Sequence, residues 1–257
     1  MKNILKFVVL FSLGMSSAFA ITGKEIALMV DKQDTSDNAK RSAVMVIERG
    51  TEKLVRKMNM DILKEDNGNI RHSLINFIAP KDIQDTKFLS RSYADISKNN
   101  DLWVFLPTES LVRRISGGGR KNAFMRSDFA LEDIDYRSVD LDEHNFIKED
   151  KVNDRAVWII ESTPLASKAN ETGYSKRIVY VDQEYKSPVK IEYYGKNKKH
   201  IKTMLAGAWK NIANIWTPTK LIMQKEGESG RTLLQYTDVV YNAELDKAIF
   251  DQGSLKR

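Results

Sequence analysis

SAVMVIERGTEKLVRKMNMDILKEDNGNIRHSLINFIAP, residues 42–80, holds three short runs rich in Val, Ile, Met and Phe. Gly50 separates the first run from the second, and Asp66-Asn67-Gly68 separates the second from the third. Apolar and polar residues alternate within the runs, as in a strand with one buried face. Turn residues at these intervals predict antiparallel hairpins.

The same pattern continues outward. DTKFLSRSY and LWVFLP follow, and FIKEDKV, AVWIIESTP, YSKRIVYVDQ, PVKIEYYG, HIKTMLAGAW, TPTKLIMQKE and RTLLQYTDVVY repeat it in the second half. Gly173, Gly195, Gly207 and the Glu226 to Gly230 turn punctuate that half. A long series of short strands predicts a mainly β fold, an antiparallel meander curled into a barrel or half-barrel. Residues 22–32, TGKEIALMVDK, read as a helix, with Thr22 as cap and Glu25 three residues on. Further helical segments are expected within 120–140 and as a short turn around Leu245 to Phe250. No repeat, low-complexity linker or composition shift divides the chain, so 21–257 reads as one domain.

The first residues, MKNILKFVVLFSLGMSSAFA, carry Lys2 and Lys6, a short apolar core from Ile4 to Met15, and Ala18 and Ala20 in A-x-A positions. This is the pattern of a secretory signal peptide, residues 1–20, and places the mature protein in a bacterial periplasm. The chain has no cysteine. That excludes a lipid anchor on an N-terminal thiol, a disulfide, thiolate catalysis and Cys-type zinc sites. Lys+Arg number 41 against Asp+Glu 35. The modest positive balance points to anionic surfaces such as lipid headgroups more than to nucleic acid.

RRISGGGRKNAFMRSDF, residues 113–129, is the stretch with chemical potential. Gly117, Gly118 and Gly119 do not form a Walker A loop, because Arg120-Lys121-Asn122 follows them. A flexible hinge is the simpler reading. Arg113, Arg114, Arg120, Lys121 and Arg126, with Phe124 and Phe129, could suit a nucleic acid, but Asp128, Glu132, Asp133 and Asp135 cancel that field. The histidines, His72, His144 and His200, have no metal-ligand spacing. There is no G-x-S-x-G, and Ser127 or Asp128 reads as the cap of a helix SDFALEDID. Adjacent Glu132 and Asp133 make a poor acid–base couple. Neither an enzyme nor a cofactor or metal site is expected.

LWVFLPTESLVRRI reads as strand, turn at Pro107-Thr108, and strand. Beyond the glycines, Phe124, Met125, Phe129, Leu131 and Ile134 recur at roughly helical spacing. They suit either a helix docked to finish the core or a lid over a cavity for a hydrophobic ligand.

DLWVFLPTESLVRRISGGGRKNAFMRSDFALEDIDY, residues 101–136, resembles the central block of the outer-membrane lipoprotein-sorting protein family. These are LolA-like periplasmic proteins, often encoded beside RND/MMPL-type exporters. The matching positions are Leu106-Pro107, Arg113-Arg114-Ile115, Gly117 to Lys121, Phe124, Ser127-Asp128-Phe129 and Glu132-Asp133. Arg126 stands where the family usually has glycine. The resemblance implies a half-open antiparallel β-barrel of about ten or more strands with helices plugging its mouth. It also implies a hydrophobic cavity, lipid or lipoprotein cargo, an inner-membrane exporter as partner, and no catalytic residues. Trp103, Phe105, Phe124, Met125, Phe129 and Leu131 are then the ligand-facing candidates. Arg113 and Arg114 are candidates for the mouth, and Gly117, Gly118 and Gly119 for the hinge. Adjacent strand residues face opposite ways, so at most one of the two arginines can point inward. The alternatives are an accessory subunit that docks on an exporter without binding lipid, and a periplasmic hydrolase.

Overall fold

The computed structural model describes residues 21–257. The expected leader, residues 1–20, lies outside the described residues. Helix α1 (Gly23–Lys32) starts on the expected cap. The Thr22 hydroxyl accepts from the Glu25 N–H at 3.2 Å, and the Thr22 N–H donates to the Glu25 carboxylate at 2.8 Å.

The strands are β1 (Asn38–Arg49), β2 (Glu52–Glu65), β3 (Ile70–Ala79), β4 (Lys87–Tyr93), β5 (Asp101–Leu106), β6 (Leu111–Arg114), β7 (Asp142–Val152), β8 (Arg155–Pro164), β9 (Tyr174–Asp182), β10 (Pro188–Gly195), β11 (His200–Ile212), β12 (Ile215–Lys225) and β13 (Arg231–Tyr241). They form one 13-stranded sheet in the order β6-β5-β4-β3-β2-β1-β13-β12-β11-β10-β9-β8-β7. Sequential strands pair antiparallel on both flanks, and the last strand returns to lie beside the first. The sheet stays open, with β6 at one edge and β7 at the other.

Alternation along the strands separates two faces. The inner face carries Ala43, Met45 and Ile47 of β1, Met58 and Met60 of β2, Ile75 and Phe77 of β3, Met223 of β12 and Leu234 of β13. The outer face carries Leu63, Leu74 and Leu89, covered by Phe250 and Leu255 of the C-terminal 3-10 turns. Ile75 and Leu74 are neighbours on β3 yet belong to opposite faces. Full burial of each such side chain is worth about 1.5–3 kcal/mol, so register is strongly specified.

As the run HIKTMLAGAW implied, β11 passes through Gly207, with Ala208 left-handed at φ +51°. One local expectation changes. The helix expected over SDFALEDID is a single turn, α2 (Leu131–Ile134), and Asp128 does not cap it. Its acidic side chains are drawn to different parts of the sheet.

Candidate functional site

The chain between the two sheet edges, from Ile115 to Leu141, packs against the inner face as a plug. A sharp reversal makes this possible. Met125 and Arg126 are both left-handed, at φ +50° and +63°. The chain doubles back so that the Phe124 N–H donates to the Phe129 carbonyl at 2.7 Å, and Ala123 bridges Ala130. Phe124 is 3% exposed and Phe129 1%. The Phe124 ring lies 5.2 Å from Phe88 and 5.6 Å from Phe77. The position where the resembling family usually has glycine, Arg126, is thus one whose backbone favours glycine.

Polar latches hold the plug on both flanks. Asp128 accepts from Arg49 at 2.7 and 3.2 Å and from the Thr232 hydroxyl at 2.7 Å. Glu132 accepts from the Thr172 hydroxyl and the Gly173 N–H, the latter at 2.8 Å. Asp133 accepts from Lys202, from the Tyr174 hydroxyl at 2.6 Å and from the Ala130 N–H at 2.6 Å. Asp135 accepts from Arg120 and, at 2.9 Å, from Ser90. Burial beside Asp133 pushes the Tyr174 hydroxyl far above its ordinary range, so it stays a donor. Every one of these carboxylates is a buried charge that needs its partner.

The candidate residues divide. Phe124, Phe129 and Leu131 sit in the inner core, with Met125 half-buried against it. Trp103 and Phe105 do not face them. They lie on the outer face, against the cluster of Leu63, Leu89, Phe250 and Leu255, while Leu102 and Val104 take the inner face of β5. The C-terminal turns cover that outer face, which a strand-by-strand reading could not anticipate. Arg113 pairs with Glu109 and stays exposed. Arg114 pairs with Asp101 and lines a polar cleft of about 420 Å³ together with Lys98, Arg120, Arg137 and Lys168. Gly117 to Lys121 form a 3-10 turn, and none of the three glycines is left-handed. A Cβ at Gly117 or Gly118 would meet nothing, so the backbone does not demand glycine there.

Two cavities remain between α1, the plug and the sheet. One, about 220 Å³, is walled by Val30, Ile160, Val179, Val181, Ile191 and Tyr193. The other, about 270 Å³, is walled by Met204, Trp216, Leu221, Tyr236 and Tyr241, with Arg41 at its side. Asp133 and Pro188 border both. Ligand sites commonly occupy about 300–1,000 Å³, so neither cavity holds a full lipid as it stands.

Sequence reading missed the charged residues of the inner face: Arg41, Arg49, Arg56, Arg177 and Lys202. Their signal was phase. Arg41 alternates with Ala43 and Met45, Arg56 with Met58 and Met60, and Lys202 with Met204, each in the apolar register of its strand. Arg56 is only 7% exposed, and burial lowers its pKa.

The hydrolase alternative has a visible counterpart. His144 Nδ1 lies 2.8 Å from the Ser162 hydroxyl and Nε2 lies 2.9 Å from the Val139 carbonyl. Burial lowers the His144 pKa, which keeps the ring neutral. The two residues are direct cross-strand partners. Asp142 gives its oxygens to Arg137 at 2.6 and 2.7 Å and to Arg177 at 3.3 Å, rather than to the ring. The ring is thus held by a backbone carbonyl rather than by the carboxylate of a Ser-His-Asp triad. Among the described residues no group of three or more His, Asp or Glu could hold a metal ion.

Residues 69–257 match a family model described as an uncharacterized protein. No curated protein matches the chain. A solved DUF1329 family protein from Desulfovibrio piger is 33% identical, with a TM-score of 0.86 over 91% of this chain and 97% of that one. A domain from Vibrio parahaemolyticus, described as an outer membrane lipoprotein-sorting protein, is 27% identical, with a TM-score of 0.85 over 91% of this chain and 98% of that one. A LolA superfamily protein from Nitrosomonas europaea is 21% identical, with a TM-score of 0.71 over 91% of this chain and 99% of that one, which shows a shared fold.

Proposed function

We propose that this chain, which belongs to the DUF1329 family, is a periplasmic carrier that takes the hydrocarbon of a lipid or lipoprotein onto its inner sheet face and hands it on across the periplasm. The observation that carries this reading is the build of that face. An apolar wall of Met, Ile and Phe is closed by a segment that belongs to no strand pair and is held by discrete polar latches. Each CH₂ taken out of water is worth about 0.8 kcal/mol, so a carrier must offer hydrocarbon in place of the membrane. Methionines adapt to chains of varied shape. In the present conformation Phe124 and Phe129 occupy that wall, and cargo enters by displacing them or by joining the two flanking cavities.

Export through a leader in residues 1–20, receipt of cargo from an inner-membrane RND/MMPL-type exporter, and a binding role without chemistry belong to the same proposal. A test is native mass spectrometry of protein purified from a bacterial periplasm, followed by organic extraction. Bound lipid or acylated protein, lost on Phe129→Asp in a variant that still folds, supports the carrier. A ligand-free mass that persists after incubation with membranes overturns it. That result would favour an accessory subunit docking on an exporter, for which the packed interior and the half-exposed Phe146 and Ile147 on edge strand β7 speak.

A further inference from the structure

We infer that the 270 Å³ cavity at the C-terminal end of α1 takes the head of a single-chain anionic amphiphile, with Arg41 as the residue that recognises its carboxylate or phosphate. The inference rests on the carrier reading and narrows it to a ligand class and a place.

Arg41 projects from the inner face of β1, in phase with Ala43 and Met45. Its side chain is 17% exposed. The guanidinium lies 5.4 Å from the centre of the Tyr236 ring and 5.7 Å from that of Tyr241. Those rings support the cation, and the Tyr236 hydroxyl lies within reach of one guanidinium N–H. Nε is buried without a hydrogen-bond partner. Among the described residues one carboxylate comes within reach, Asp34 at 4.0 Å. Asp34 already serves Lys64 at 3.2 Å and the Ser36 hydroxyl at 2.6 Å. Arg41 is therefore a largely buried, charged fork whose Nε donor is free, beside a cavity. A guanidinium in this condition is built for a two-oxygen anion.

The apolar wall of the cavity suits the first carbons of a hydrocarbon tail that continues into the inner core. Met204, Leu221, Trp216 and Pro188 line it, and Met204 and Leu221 also pack against the inner core behind the plug. Asp133 borders the cavity, but Lys202 pairs with its charge and the Tyr174 hydroxyl donates to it. A cationic or zwitterionic head would set positive charge against Arg41, so a fatty acid or an alkyl phosphate fits and a choline lipid does not.

The experiment titrates the mature protein with palmitate, hexadecyl phosphate and hexadecanol, read by native mass spectrometry and by displacement of a fluorescent fatty acid. Palmitate or hexadecyl phosphate should bind one to one, about 10- to 100-fold tighter than hexadecanol. The order of the two anions tells a free acid from a phosphate lipid as the source. Arg41→Leu should bring the anions down to the hexadecanol level while leaving hexadecanol binding unchanged. Equal binding of all three by the unsubstituted protein, or anion binding undiminished in Arg41→Leu, overturns the Arg41 site and leaves the carrier standing. No binding of any of the three, with no lipid extracted from periplasmic protein, overturns both. The ligand series on the unsubstituted protein decides the matter even if Arg41→Leu does not fold.

Discussion

Arg49 and Asp128 meet in a two-point ion pair, 2.7 and 3.2 Å, that ties the plug to the C-terminal end of β1. The Asp128 side chain is fully buried, while that of Arg49 is 35% exposed. Removing Arg49 leaves a buried carboxylate with the Thr232 hydroxyl and the half-exposed Lys225 at 4.0 Å. Arg49→Met should therefore lower stability by about 3 kcal/mol, read as the shift of the urea midpoint. Adding Asp128→Asn should restore part of the loss, since the uncompensated charge is then gone. A midpoint that Arg49→Met leaves in place would mean the latch carries no weight.

Phe124 wedges the plug between Phe77 and Phe88. Phe124→Ala should cost about 3–5 kcal/mol in the absence of ligand. On the carrier reading a hydrocarbon ligand fills the space, so added palmitate should raise the melting temperature of this variant more than that of the unsubstituted protein. A smaller rise in the variant would make Phe124 plain core.

Leu255 is 1% exposed on the outer face, under which Trp103 and Phe105 pack. Leu255→Ala should cost about 2–5 kcal/mol, yet leave lipid affinity within experimental error, because the sheet separates this cluster from the inner face. Calorimetry and a lipid titration on the same sample check both halves. Weakened lipid binding would return Trp103 and Phe105 to the site.

Gly117 and Gly118 have ordinary negative-φ or extended backbone and open space where a Cβ would stand. The double substitution to Ala should leave stability unchanged or raise it by about 0.4–1 kcal/mol per site. Should the turn serve as a hinge, the cost would appear in the rate of lipid transfer to acceptor vesicles and not in the melting temperature. Unchanged transfer would remove the hinge.

Burial lowers the pKa of both His72 and His144 from the ordinary 6.5. In the unfolded chain each takes up a proton near that value, whereas the folded state resists until a lower pH. The stabilising contribution is thus complete above pH 6.5 and is lost as the pH falls through the depressed folded values. The melting temperature should drop as the pH falls below about 6.5, and His144→Gln should flatten part of that slope. A slope untouched by substitution of either histidine would assign it to other groups.

Much of the sheet is legible in the chain because side-chain alternation and turn residues are local. YSKRIVYVDQ, PVKIEYYG and RTLLQYTDVVY correspond to β9, β10 and β13 almost residue for residue. The plug was legible as an apolar set after three glycines, but its shape was not. Local spacing suggested a helix over SDFALEDID, whereas partners distant in sequence (Arg49, Thr232, Lys202 and Thr172) pull its acids to separate walls. The same limit holds for Trp103 and Phe105: alternation says that they share a face but not which face is inside, and the fold turns that face outward.

The sequence by itself determined a mainly β chain, the place of most of its strands and the capped first helix, since each depends on neighbours a few residues away. Only the tertiary structure decided that β13 closes onto β1, that β6 and β7 remain open edges, and that the chain between them fills the inner face. It also decided which charged residues in an apolar phase find partners, as Arg49 and Lys202 do, and which, like the Nε of Arg41, do not. The physical reason is that burial and pairing are properties of groups brought together across the sheet, and one strand's pattern cannot name its partners.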